Sequence, residues 1–201
     1  MRYALHEIFE TRQGEGRNTG KPCVFVRFAG CNLACPWCDT DFSAQFAMDA
    51  DEIIAALAQY SVKSVIFTGG EPLIQSGLEA LARQLKARGY WLGIETNGTI
   101  EPKDSLREVL DYIATSPKLE APIAITRANE VRLVTAEGVT AEWCRAVRAK
   151  IQAEDYYLSP CDCNGGLQVR PALERLGELN SDSPMPPWRL SLQTHKLAGI
   201  P

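Results

Sequence analysis

Gly30-Cys31-Asn32-Leu33-Ala34-Cys35-Pro36-Trp37-Cys38-Asp39-Thr40 places three cysteines within eight positions, with spacers of three and two residues. Spacers of that length let one loop wrap a single inorganic centre. Thiolate is a soft ligand suited to zinc, copper(I) or an iron-sulfur cluster, and closed sites of these kinds take four protein ligands. The local count stops at three. The residues leave two readings open. In one, the last position faces water or a ligand, as in catalytic sites. In the other, a zinc knuckle is closed from a distance by Cys23, His6, His195 or a cysteine of the Cys161/Cys163 pair.

Outward from this loop the chain alternates strand and helix. Cys23 to Phe28 is rich in β-branched and aromatic residues and leads into the loop, with Arg27 interrupting its apolar character. Asp49 is placed to cap a helix from Ala50 to Tyr60, and Leu78, Leu81 and Leu85 carry a second helix to Gly89. Between them, Ser64 to Phe67 is an apolar strand that stops at Thr68-Gly69-Gly70-Glu71-Pro72. Trp91 to Thr96 ends at Asn97-Gly98, and Tyr112 to Thr115 ends at Ser116-Pro117-Lys118. Residues 119 to 128 show no period and read as a loop. Glu130 to Thr135 and Tyr156 to Pro160 are strands flanking a helix from Ala141 to Ile151. A last helix runs from Gly166 to Leu179 with Pro171 near its first turn, and a last strand from Trp188 to Gln193, with Thr194-His195-Lys196 at its end.

Seven strands and about four helices, starting after residue 22 behind a short leading segment, predict an α/β fold: an incomplete, open TIM-like (β/α) barrel whose ligands gather at the C-terminal strand ends. The 201 residues predict one domain, 1–201. Net charge is -4 with no basic run, which argues against a nucleic-acid footprint and for a small-molecule substrate. No stretch is apolar enough to span a bilayer, and the start of the chain has no signal core. Seven cysteines cannot all pair, so a reducing, cytoplasmic location is expected.

Cys31-x3-Cys35-x2-Cys38 resembles the cluster motif of radical S-adenosylmethionine (SAM) enzymes, and segments over most of the chain resemble the 7-carboxy-7-deazaguanine synthase family within it. The resemblance implies a 4Fe-4S cluster on the three cysteines, whose fourth iron is chelated by SAM. It implies SAM contacts from Trp37, Asp39, Thr68-Gly69-Gly70-Glu71, Glu95, Ser116 and Lys118. It implies Mg2+ on Thr40, and a pterin substrate held by Gln13, Glu15, Arg27, Thr68, His195 and the terminal carboxylate of Pro201. The implied reaction starts with a radical made from SAM, which removes hydrogen from C6 of 6-carboxy-5,6,7,8-tetrahydropterin; ring contraction and loss of ammonia then give 7-carboxy-7-deazaguanine. A flavodoxin- or ferredoxin-type electron donor and a homodimer are implied as well. A glycyl-radical activating enzyme has a similar small core, but Glu15, Arg27 and the tail from His195 to Pro201 would then lack a purpose. An electron-transfer or zinc-binding module would leave Gly-Gly-Glu-Pro and the open ligand position unexplained. Cys161 and Cys163 read as free thiols or part of a substrate-proximal loop.

Overall fold

A computed structural model describes residues 1–163 and 166–201. Strand β1 (Arg2–Arg12) runs antiparallel to β2 (Pro22–Phe28), and the cluster loop then leads to the short β3 (Phe46–Asp49). The chain proceeds through α1 (Ala50–Leu57), β4 (Ser64–Gly69), α2 (Leu78–Ala87), β5 (Trp91–Thr96), α3 (Asp104–Arg107) and β6 (Tyr112–Thr115). It continues with β7 (Arg127–Thr135), α4 (Ala141–Lys150), β8 (Gln152–Pro160) and a small hairpin of β9 (Asp162–Cys163) and β10 (Gly166–Leu167). Helix α5 (Val169–Asn180), β11 (Trp188–Leu190) and α6 (Thr194–Ala198) complete it.

The main sheet has nine strands in the order β11-β8-β7-β6-β5-β4-β2-β1-β3. The seven from β2 to β11 are parallel and follow chain order, as the alternation of strand and helix predicts for an open barrel. The edges β11 and β3 do not pair among the described residues, so the barrel stays open.

Two features differ from expectation. The segment before residue 22 contains an eleven-residue strand, β1, paired antiparallel to both β2 and β3. Tyr3 and Leu5 are buried in alternation, but the register shifts between Leu5 and Glu7, so the period breaks halfway and the strand is hidden from a period count. At the other end, Thr194-His195-Lys196 does not close a strand. β11 stops at Leu190, and these residues form α6, ended by Gly199 at φ 65°, a left-handed cap position natural to glycine.

The apolar core lies outside the barrel, between sheet and helices. Val65, Phe67, Leu92, Ile94, Val131, Leu133, Tyr156 and Leu158 alternate outward and pack on Ile53, Leu57, Leu81, Leu85 and Val147 of the helices. Asp49 caps α1 through a capping box with Glu52, and Pro171 lies in the first turn of α5, where its missing N–H costs no helical bond. The inward positions carry a different chemistry: Thr68, Glu95, Glu130, Arg132 and Ser159 are buried or half-buried and polar. An interior built from such residues is a site rather than a packed core. No described helix is long and apolar enough to cross a membrane.

Candidate active site

Parallel registry brings the rim together. Arg27 pairs with Thr68, Phe28 with Gly69, Glu95 with Ala114, and Val134 with Ser159, so the loops following these strands share one face. Two cavities open there, of about 190 and 310 Å³.

The first lies under the cluster loop. Cys31, Cys35 and Cys38 line it with Trp37, Gly69, Gly70, Ser116 and Lys118. All three thiols are free; Cys31 and Cys35 are half-buried and Cys38 is exposed. Leu33 N–H donates to Cys31 Sγ at 3.4 Å. Lys118 Nζ sits on Ser116 Oγ at 2.7 Å and 5.3 Å from the Trp37 ring centroid. Burial holds Cys35 above the usual thiol range while the Lys118 ammonium pulls it down; burial lowers Lys118 itself. Among the described residues no three His, Cys, Asp or Glu converge on a single point. A cubane takes each thiolate on a separate iron, so three free thiols around one mouth fit it. The glycines fit too: a Cβ on Gly70 would lie 2.0 Å from Gly30 O and 2.8 Å from Cys31 Cβ, so only bare backbone can approach the loop there.

The second cavity is lined by Gln13, Glu15, Arg27, His195 and Pro201. Arg27 Nε donates to Glu7 Oε1 at 2.7 Å, and its guanidinium lies over Phe9 at 5.6 Å. His195 packs so closely on Gly14 that an added Cβ would meet Nδ1 at 1.9 Å; burial and the neighbouring Lys196 lower its pKa. Pro201 carbonyl oxygen accepts from Thr11 Oγ1 at 2.6 Å.

Thr68, Glu95, Glu15, Asp39, Thr40 and Gln193 line both cavities and mark their junction. Thr40 Oγ1 is 3.5 Å from Asp39 Oδ1. Glu95 accepts from Gln13 Nε2 (3.1 Å), Arg132 Nη2 (2.5 Å) and Thr68 Oγ1 (3.0 Å). The same Arg132 reaches Glu15 Oε2 at 3.0 Å, and its Nε is 2.8 Å from Glu130 Oε1 without being aimed at it as a hydrogen bond. Burial pushes Glu15 up despite Arg132, whereas at Glu95 burial is outweighed by the charge of Arg132 and by hydrogen bonds from Arg132, Thr68 and Gln13, and the carboxyl sits below the ordinary range.

Two sequence expectations need adjusting. Glu71, grouped with the cofactor contacts, does not line either cavity. It is fully buried and accepts from Leu73 N (2.9 Å), Thr96 Oγ1 (2.8 Å) and Asn97 N (2.7 Å), so it ties the Gly69-Gly70 turn to the end of β5 from below. Gln13 turns both ends of its amide inward, accepting from Glu15 N–H at 3.2 Å and donating to Glu95. Sequence reasoning missed Arg132, Ser159, Gln193 and Lys196, and gave Asn97 no role of its own. Asn97 Nδ2 bonds Asn32 Oδ1 at 2.9 Å inside the cluster loop, and Lys196 Nζ bridges Asp39 (2.6 Å) and Asp162 (2.5 Å). Arg132 carried a signal: Glu130, Arg132 and Val134 alternate with Val131 and Leu133, so one face of a buried strand is charged.

Comparison with known proteins agrees with this geometry. Residues 25–149 match the family described as the radical SAM superfamily. A 7-carboxy-7-deazaguanine synthase of Haemophilus influenzae is 47% identical over 98% of this chain and 94% of its own length. One from Neisseria meningitidis serogroup B is 45% identical over the same shares. The crystal structure of QueE from Escherichia coli superposes with a TM-score of 0.75 at 26% identity, covering 96% of this chain and 94% of that one.

Proposed function

The chain belongs to the radical SAM superfamily and, within it, to the 7-carboxy-7-deazaguanine synthases, and from that premise we propose how its two chambers divide the work. It is a radical SAM enzyme of 7-deazapurine biosynthesis, converting 6-carboxy-5,6,7,8-tetrahydropterin to 7-carboxy-7-deazaguanine with loss of ammonia. One observation carries the division: two cavities, one ringed by thiols and one by polar groups suited to a pterin carboxylate, meet at Thr68, Glu95, Asp39 and Thr40.

Cys31, Cys35 and Cys38 would hold the 4Fe-4S cluster, and Trp37, Asp39, Gly69, Gly70, Ser116 and Lys118, with Thr68 and Glu95, would hold SAM in the same cavity. Bound together, cluster and SAM supply the radical that takes hydrogen from the substrate. The residues supply position and exclusion of water. Glu71 and Gln13 act indirectly, Glu71 by fixing the glycine turn and Gln13 by fixing Glu95. Glu15 faces the pyrimidine edge, Arg27 the carboxylate on C6, and His195 and Pro201 close the chamber as the tail of a single domain. Arg27 suits that role because a guanidinium binds a carboxylate bidentately. A flavodoxin- or ferredoxin-type donor, a homodimer and a cytoplasmic setting follow from the family resemblance.

Thr40 would hold Mg2+ near that carboxylate, since the residue lines both cavities and its hydroxyl is the hard kind of oxygen that magnesium prefers. Thr40→Ala should leave iron and sulfide content unchanged while turnover at saturating substrate falls on the order of tenfold and loses most of its response to added magnesium. A full magnesium response in the variant refutes the assignment.

The function is tested by anaerobic incubation of the reconstituted protein with SAM, reductant, magnesium and 6-carboxytetrahydropterin, followed by mass spectrometry. Deazapurine with 5'-deoxyadenosine is the expected result. 5'-Deoxyadenosine without deazapurine would keep the superfamily and refute the substrate.

A further inference from the structure

Gln193 is the group at the junction with something left to bind. It lines both chambers, its Nε2 donates to Asp39 Oδ2 at 2.9 Å, and its Oε1 is buried without a hydrogen-bond partner among the described residues. The orientation of the amide is not free. Asp39 Oδ2 also receives Lys196 Nζ at 2.6 Å, and an oxygen clasped by an ammonium can only accept. The nitrogen of Gln193 therefore stays on Asp39, and a flipped amide would set two acceptors against each other. What remains is a fixed, neutral, buried acceptor on a residue that lines both chambers. A buried acceptor without a donor is costly, and a ligand N–H or O–H removes that cost.

The identity of the donor rests on the proposed reading of the second chamber as the pterin site. The hydrogen to be removed is on C6, so C6 must sit at the junction. N5 is bonded to C6 and carries a hydrogen only in the tetrahydro ring; in 7,8-dihydro and fully oxidised pterins it presents a bare lone pair. N5 is also the atom the reaction expels. In the product the carbon bearing the carboxylate is bonded directly to the pyrimidine ring, so the nitrogen that stood between them leaves as ammonia.

We infer that Gln193 Oε1 accepts a hydrogen bond from substrate N5–H and thereby selects the tetrahydropterin over its oxidised forms. Lys196 and Asp39 act behind it by locking the amide. A site built to pair with an N–H rejects an analogue that lacks it, because the acceptor then faces a second acceptor with no room for water.

The test compares dissociation constants of 6-carboxytetrahydropterin and 6-carboxypterin on the cluster-loaded, SAM-bound enzyme, anaerobically and without reductant so that nothing turns over. Wild type should prefer the tetrahydro form at least about tenfold. Gln193→Leu and Gln193→Met, which keep the bulk and remove the acceptor, should lose most of that preference. General damage to the site would weaken both ligands together and leave the ratio unchanged, so a wild-type ratio in the Leu and Met variants overturns the inference. Equal binding of both pterins by wild type overturns it while sparing the substrate reading. Failure of wild type to bind either pterin removes both.

Discussion

Arg132→Met should destabilise the protein by about 3–5 kcal/mol, because it strands buried carboxylates that now share one guanidinium. Arg132 is 6% exposed and is the cation common to Glu15, Glu95 and Glu130. Glu130 keeps donors in Tyr112 Oη at 2.6 Å and Arg17 N–H at 2.8 Å, and Glu95 keeps Gln13 and Thr68, but hydrogen bonds alone do not neutralise charge. In a chain of this size the loss corresponds to a fall in Tm on the order of 10 °C. Its pH dependence identifies the cause. In the wild type Glu95 is depressed, so its contribution is present above the ordinary carboxylate value and is lost as pH falls through the folded pKa. Without Arg132, burial dominates and raises Glu95, so the folded form binds more protons than the unfolded one and loses stability as pH rises. Above the ordinary carboxylate value the wild-type contribution of Glu95 is flat while the variant's falls with pH, so the gap in Tm should widen from about pH 5.5 to about pH 8. A gap that stays constant over that range would mean the loss is packing, not charge. Arg132→Lys, with a single ammonium in place of a planar fork, should recover only part of it.

The same residue shows how far a sequence reaches. The seven parallel strands were readable because each is a short apolar run stopped by turn residues, and their rim motifs fell where a parallel sheet collects ligands. The charged face of β7 was readable as well. Its partners were not: Glu15 lies 117 positions from Arg132, and only the curvature of the sheet brings them within 3.0 Å. Glu71 was grouped with the cofactor contacts because Gly69-Gly70-Glu71-Pro72 resembles a family segment as a unit, yet only the two glycines line the cavity and the glutamate one residue further on points into the floor. β1 was concealed by a bulge, and α6 by a five-residue length too short for a period to register. Residues 119 to 128 lack periodicity because one buried anchor, Ile125, fixes them, and β7 begins already at Arg127. The remaining misses, Gln193 and Lys196, are polar side chains whose role depends on which carboxylate the tail meets when it folds back over the rim.

Gly70→Ala should abolish most turnover, by on the order of 100-fold, without replacing any ligand-bearing side chain. Gly70 N–H donates to Phe28 O at 3.2 Å and Glu71 N–H to Gly30 O at 3.0 Å, so the end of β4 is laced to the strand that enters the cluster loop. The methyl group would meet Gly30 O at 2.0 Å and Gly30 C at 2.5 Å, and a backbone carbonyl cannot rotate aside as a flexible side chain can. Relief must come from moving the loop, and the first side chain on it is Cys31, itself 2.8 Å from the new atom. Iron and sulfide per chain should therefore fall along with activity, while the fold loses about 1–3 kcal/mol as an overpacked site. Gly30→Ala separates collision from strain. Gly30 has φ 83°, so alanine there is strained, but among the described residues, its chain neighbours aside, the only heavy atom within 4 Å is Ile74 Cδ1 at 3.8 Å. That variant should lose stability by a similar amount and keep more of its cluster. If Gly70→Ala instead binds a full cluster and turns over like wild type, the close approach of the two loops is an accident of packing, and the glycine pair has no part in presenting backbone to the cofactor.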